Sequence, residues 1–189
     1  MKIGLFFGSF NPIHNAHISI GKHFIKNSPL DKIWFVISPM NPFKKDHNLL
    51  PAHQRLELVQ IALENVDSIE ASKVELNMPT PSYTIHTLRK LWHSFPQDEF
   101  SIIMGTDNLL KLDKWMDHQT ILEKCKLYVY PRTDTDGGTF KAHPNVIMAS
   151  SEFLEISSTE IREKLQSDGA ASIIPEKVLK KIKEKNYYS

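Results

Sequence analysis

Cysteine is almost absent from this chain of 189 residues. Cys125 stands alone, which excludes an intrachain disulfide and a zinc centre built on several thiolates. Neither sign of charge is in surplus, with 23 Lys and Arg against 22 Asp and Glu. A net charge of +1 argues against a nucleic-acid partner, whose footprint is a basic excess, yet leaves room for a small anion held by a few local cations. No window approaches the roughly 18 consecutive apolar residues of a membrane span, and the opening MKIGLFFGSF turns polar too early for a signal peptide. The expectation is a cytoplasmic protein with no membrane partner. Glycine is sparse as well, 7 in all, and the loop opening at Gly8 has neither the three glycines of a dinucleotide fingerprint nor the G-x-x-x-x-G-K-[ST] of a Walker loop.

What is present is an ordinary globular composition, 41% hydrophobic and 24% charged. A chain of this length buries roughly 70% of its unfolded surface and needs no staple. It is read as one domain over 1–189, with a C-terminal helical part over 156–189. Apolar runs rich in β-branched and aromatic residues predict strands at Lys2–Phe7, Lys32–Ser38, Ile69–Asn77, Phe100–Gly105, Lys126–Pro131 and Val146–Ser150. Helical spacing predicts helices at Ile18–Lys26, His53–Asn65 (Leu56, Val59 and Leu63 on one face), Tyr83–Phe95, Asp117–Cys125 and Pro175–Lys185. Strict alternation implies a Rossmann-like α/β fold: a doubly wound, mainly parallel sheet with helices on both faces. Ligands of such sheets bind beyond the carboxyl ends of the strands, so the loops after Phe7, Ser38, Gly105 and Ser150 are the places to search.

The first of these loops runs Gly8-Ser-Phe-Asn-Pro-Ile-His-Asn-Ala-His17 and leads into a helix. His14 and His17, three apart, share a side, next to unpaired N–H groups and the positive end of the helix dipole. A phosphate fits that place; a pair of solvated histidines explains the same letters, and a zinc site would want a third ligand that His23, His47 and His53 do not supply at any recognisable spacing. The last loop, Ile156-Ser-Ser-Thr-Glu-Ile-Arg162, places three hydroxyls before a helix with Arg162 in its first turn. One hydroxyl suffices for a cap, so the others and the guanidinium are available to an anion; a capping box with an exposed arginine accounts for the loop equally well.

Taken together, the two loops resemble the HxGH and ISSTxxR-like motifs of the nucleotidyltransferase superfamily. Further segments resemble its bacterial nicotinate mononucleotide adenylyltransferase family: Pro81-Ser-Tyr-Thr-Ile-His-Thr-Leu88, Gly105-Thr-Asp107 followed by Trp115, Pro42-Phe-Lys-Lys45, and Arg132 after the fifth strand. The resemblance runs from Lys2 to about Tyr187. The chain departs from the family pattern at Phe7, where a glycine is common, at Asn11 for an aspartate, at Ala16 for the glycine of HxGH, and at Lys44 for a loop histidine.

The resemblance implies transfer of AMP from ATP to nicotinate mononucleotide, with release of pyrophosphate, and Mg²⁺ bound mainly through the ATP phosphates. On that basis His14, His17, Lys44, Lys45 and Arg162 are the expected catalytic groups; which of the two lysines meets phosphate stays open. Gly8, Ser9, Phe10, Asn11, Gly105, Asp107, Arg132, Ile156, Ser157, Ser158 and Thr159 are the expected ATP contacts. Ser82, Tyr83, Thr84, Trp115 and Met116 are those expected for the acceptor, and no protein metal ligand is expected. The rival acceptors are nicotinamide mononucleotide and phosphopantetheine. The rival from another class is a nucleotide- or metal-binding module without catalysis. The sequence favours neither a monomer nor a homo-oligomer.

Overall fold

The computed structural model describes residues 1–39, 49–132, 135–150, 158–165, 170 and 172–188. Six parallel strands, β1 (Lys2–Gly8), β2 (Lys32–Ile37), β3 (Ile69–Ser72), β4 (Glu99–Gly105), β5 (Leu127–Tyr130) and β6 (Val146–Met148), form one sheet in the order β3-β2-β1-β4-β5-β6. The order reverses between β1 and β4, and the crevice beyond that switch is where such sheets take ligands. Because every strand runs the same way, all the carboxyl-end loops share one rim.

Side-chain alternation along β1, β2, β4 and β5 feeds two separate cores. Phe6, Ile33, Phe35, Ile103 and Tyr128 point to one face, where α1 (Asn15–Asn27), α2 (Ala52–Leu63) and α7 (Glu176–Glu184) cover them with Phe24, Leu58 and Val178. Ile3, Leu5, Val36, Ile102 and Val129 point to the other, under α3 (Thr84–Ser94) and α5 (His118–Lys124) with Leu88, Leu91 and Ile121. Two short elements complete the helices: α4 (Thr106–Leu109) follows β4, and α6 (Ser158–Leu165) buries Ile161. No described helix is long and apolar enough to cross a membrane.

Three expectations need correcting. The third strand ends at Ser72 instead of Asn77, because turns at 73–78 carry Glu75 into the interior. The last strand stops at Met148. The inward stripe of α2 is Arg55, Leu58, Val59 and Leu63, with Leu56 only half-buried, because Arg55 occupies an inward position that hydrophobic spacing alone would give to an apolar side chain. Ion pairs tie α7 to α2, Lys181 with Glu57 at 2.6 Å and Lys177 with Glu64.

Candidate active site

The loop leaving β1 turns at Phe10, whose φ of 46° lies in the left-handed region. An aromatic residue there costs of order 1–2 kcal/mol. Packing offsets it, since the buried ring stacks on Phe35 at 5.2 Å and meets Phe6 and His17 edge-on at 5.8 and 5.1 Å. The same ring makes Gly8 obligatory, because a Cβ at that position would sit 2.8 Å from Phe10 Cζ. The chain then enters α1 with His14 in the N-cap position, and the His14 and His17 rings lie 3.6 Å apart, centre to centre. Burial, with Arg132 as the second cause, pulls the His14 imidazole down to about 4. His14 is therefore neutral near pH 7 and can offer a ligand N–H donation but no charge. Its Nδ1 is buried without a hydrogen-bond partner among the described residues.

The far end of the chain closes over this loop. Arg162 Nη1 donates to the Asn11 carbonyl at 2.8 Å, while its Nη2 lies 3.3 Å from Thr159 Oγ1. Ser158 Oγ lies 3.4 Å from the Pro12 carbonyl, at the long limit for a hydroxyl bond. The Asn15 N–H donates to Ile173 O at 2.9 Å and its side-chain amide to Ser172 O at 3.2 Å. Tyr188 Oη donates to Asn11 Oδ1 at 2.9 Å, alongside the Leu50 N–H at 3.1 Å. The two loops singled out by sequence thus form one structure.

Beneath the loop lies a residue that sequence reading missed. Arg55 is fully buried and donates to four carbonyls: Leu50 from Nε at 2.8 Å, Ser9 and Ser38 from Nη1 at 2.6 and 2.9 Å, and Pro39 from Nη2 at 3.0 Å. Burial lowers its guanidinium to about 10, so it still carries its charge at neutral pH, with carbonyls as its only hydrogen-bond partners among the described residues. A charged residue within an otherwise apolar helical stripe was the available signal.

On the other side of the switch, β4 ends at Gly105. A Cβ there would collide with Asp107 Oδ1 and lie 3.0 Å from Arg132 Cδ. Asp107 belongs to the first turn of α4 and is not its cap, which is Gly105. Its Oδ2 faces Arg132 Nη1 at 3.5 Å, and its buried Oδ1 has no hydrogen-bond partner among the described residues. Thr106 Oγ1 accepts the Arg132 N–H at 2.9 Å and joins the ends of β4 and β5. Arg132, felt by both His14 and Asp107, links this side electrostatically to the first loop.

The residues expected to meet the acceptor lie on α3 and on the turn before α5. Tyr83 is the N-cap position of α3 and Thr84 its first residue. Ser82 turns its hydroxyl inward to Glu75, so it can offer a ligand only its backbone. Trp115 is half-buried against the second core and Met116 is exposed. An Arg89–Asp117 ion pair at 2.6 Å ties the turn that carries them to α3. Lys44, Lys45, Ile156 and Ser157 lie outside the described residues. Imidazole, guanidinium and hydroxyl groups dominate the phosphate side, a donor set suited to anionic oxygens and to a metal that arrives already bound to them.

The model of the cytidylyltransferase-like family matches residues 5–164. A probable nicotinate-nucleotide adenylyltransferase of Flavobacterium psychrophilum is 44% identical, over 100% of this chain and 99% of its own length. One from Cytophaga hutchinsonii is 41% identical with the same coverage. Among solved structures, a Plasmodium falciparum nicotinic acid mononucleotide adenylyltransferase complexed with NaAD matches with a TM-score of 0.85 at 21% identity, covering 99% of this chain and 97% of its own, which bears on the fold. The chain belongs to the nicotinate-nucleotide adenylyltransferase family, within the cytidylyltransferase-like proteins.

Proposed function

We propose that this chain transfers AMP from ATP to nicotinate mononucleotide, forming nicotinate adenine dinucleotide and pyrophosphate. The observation that carries the reading is the bond from Arg162 to Asn11, which seats the C-terminal motif against the phosphate loop at the switch of the sheet. The names of the full-length relatives support the same reaction.

In this reaction a phosphate oxygen of the mononucleotide attacks the α-phosphorus of ATP. A new P–O bond forms as the bond from the α-phosphorus to the bridging oxygen breaks, and pyrophosphate departs with the electron pair. No protein nucleophile is required. Cys125 would be a poor one, since burial pushes its thiol up to about 12. Catalysis rests on alignment and on charge placed where the phosphates gather.

His14 and His17 donate to the ATP phosphates at the start of α1. Arg162, with Lys44 or Lys45, draws the charge that grows on the leaving pyrophosphate. Ser157, Ser158 and Thr159 hold its outer phosphates, with the Gly8–Asn11 backbone lining the same side. Gly105 lets the nucleotide approach the sheet, Asp107 Oδ1 accepts from a ribose hydroxyl, and Arg132 balances the negative charge between them. Mg²⁺ bound to the ATP phosphate oxygens would neutralise part of their charge, with no protein carboxylate needed to hold it. For the acceptor, Trp115 offers a flat face to the pyridine ring, and the N–H groups at Thr84 and Met116 receive its carboxylate.

Pyrophosphate release from ATP plus nicotinate mononucleotide tests the proposal directly. One dinucleotide per pyrophosphate is expected, with slower release when nicotinamide mononucleotide or phosphopantetheine is the acceptor. Faster turnover of either alternative would reassign the acceptor. Tight ATP binding with no release under any acceptor would favour a non-catalytic module.

A further inference from the structure

Glu75 is the anomaly on the acceptor side. It sits in the turn three residues past β3, on the rim where all strands end, and only 2% of it is exposed. Its side-chain partners among the described residues are two hydroxyls: Ser82 Oγ donates to Oε2 at 2.9 Å and Thr87 Oγ1 to Oε1 at 2.7 Å. Thr87 is itself fully buried, and its hydroxyl also lies 3.8 Å from the Met78 sulfur. A buried carboxylate held by hydroxyls alone is a costly arrangement, and replacing such a group with apolar packing is often neutral or stabilising. Its presence at this rim points to a role beyond packing.

The two hydroxyls supply it. Ser82 lies two residues before Thr84, the first residue of α3, and Thr87 lies three residues after it. One carboxylate therefore grips the chain on both sides of the helix start, across the segment Tyr83-Thr84 and its first-turn N–H groups. Charge-assisted bonds of this kind are about twice as strong as neutral ones and are directional at both ends. Nothing else in the described structure bonds both Ser82 and Thr87. The clamp fixes where the α3 N-terminus points without touching a ligand.

We propose that Glu75 is a positioning residue for the acceptor. Through Ser82 and Thr87 it sets the orientation of the Thr84 N–H that receives the acidic ring substituent of the mononucleotide. The inference rests on the acceptor reading above and deepens it.

The test compares Thr87→Val, which keeps shape and removes the hydroxyl, with Thr87→Ser, which keeps the hydroxyl. Steady-state kinetics are measured against each substrate in turn, with melting temperature alongside. Loss of one charge-assisted bond is worth about tenfold. Thr87→Val is therefore expected to raise the KM for nicotinate mononucleotide about tenfold while the KM for ATP stays within about twofold, and Thr87→Ser is expected to restore the acceptor KM. Ser82→Ala, at the less buried end of the clamp, is the second variant should Thr87→Val not fold, and it should raise the acceptor KM in the same direction by about threefold or more. A lower melting temperature with an unmoved acceptor KM, or an equal rise in both KM values, would overturn the proposal and leave Glu75 a structural residue. Wild-type controls separate the two claims. If wild type turns over the amide mononucleotide instead, the clamp is read against that acceptor; if it turns over neither, the functional reading is what fails.

Discussion

Around the phosphate loop the chain closes on itself over great distances. Ser158, Arg162, Asn15 and Tyr188 make contacts separated by 146, 151, 157 and 177 residues. The acceptor side is built locally instead: the Glu75 clamp spans 7 and 12 residues and the Arg89–Asp117 pair 28. Long-range closure means that the phosphate half is complete only when the whole chain has folded, since the entropy of joining its ends must be offset by packing elsewhere. The acceptor half can change by a few neighbouring substitutions without disturbing the sheet. On the proposed assignment, a nucleotide common to many reactions is held by the global fold, and the partner that distinguishes one reaction from another by a short segment.

Arg55→Met should break the phosphate half most severely. It leaves four part-buried carbonyls without their donor and removes the charge under the loop, so thermal or denaturant unfolding is expected to register a loss of about 3–5 kcal/mol. A loss below about 1 kcal/mol would mean that the loop is held by its other bonds. His17→Ala and Arg162→Ala come next. Each should stay folded and lose about 10²–10³ in turnover, as oxyanion-hole donors do, with little change in the KM for the mononucleotide. Near-normal turnover in either variant removes that residue from the site.

The third effect is on pH. The folded His14 titrates near 4 against about 6.5 unfolded, so the unfolded chain binds the extra proton between those values. The stability this group contributes is fully present above about pH 6.5 and is lost as pH falls to about 4, a change of about 3 kcal/mol. Denaturant melts of wild type and His14→Asn across that window should differ in slope, the variant being flatter; parallel curves would contradict the burial of this imidazole. Smallest is Trp115→Ala, expected to raise the acceptor KM about tenfold with ATP KM unchanged, as loss of one stacking surface would. A matching rise in both would blur the division between the halves.

Much of this division could be read from the letters because each loop carries its own signal. HxxH at a helix start, hydroxyls before Arg162, and a short apolar run before Gly105 all have local physical meanings. The parallel sheet was legible for the same reason, since IWFVI and SIIM bury both faces. What stayed hidden were bonds between distant segments. Arg55 carried no local motif, because its four acceptors come from two separate loops, one after β1 and one after β2. Glu75 looked like part of a strand because its burial depends on hydroxyls that follow it. Tyr188 gave no pattern at all, being one tyrosine in a short tail that meets Asn11 only in the folded chain.

A double-mutant cycle on Mg-ATP binding, with His17→Ala, Arg162→Ala and the pair, tests most directly whether both chain ends grip one triphosphate. Calorimetric titration is expected to give a coupling of about 1 kcal/mol or more between the two sites, as groups that share the same phosphates would. Losses that add to within about 0.3 kcal/mol would contradict the shared grip.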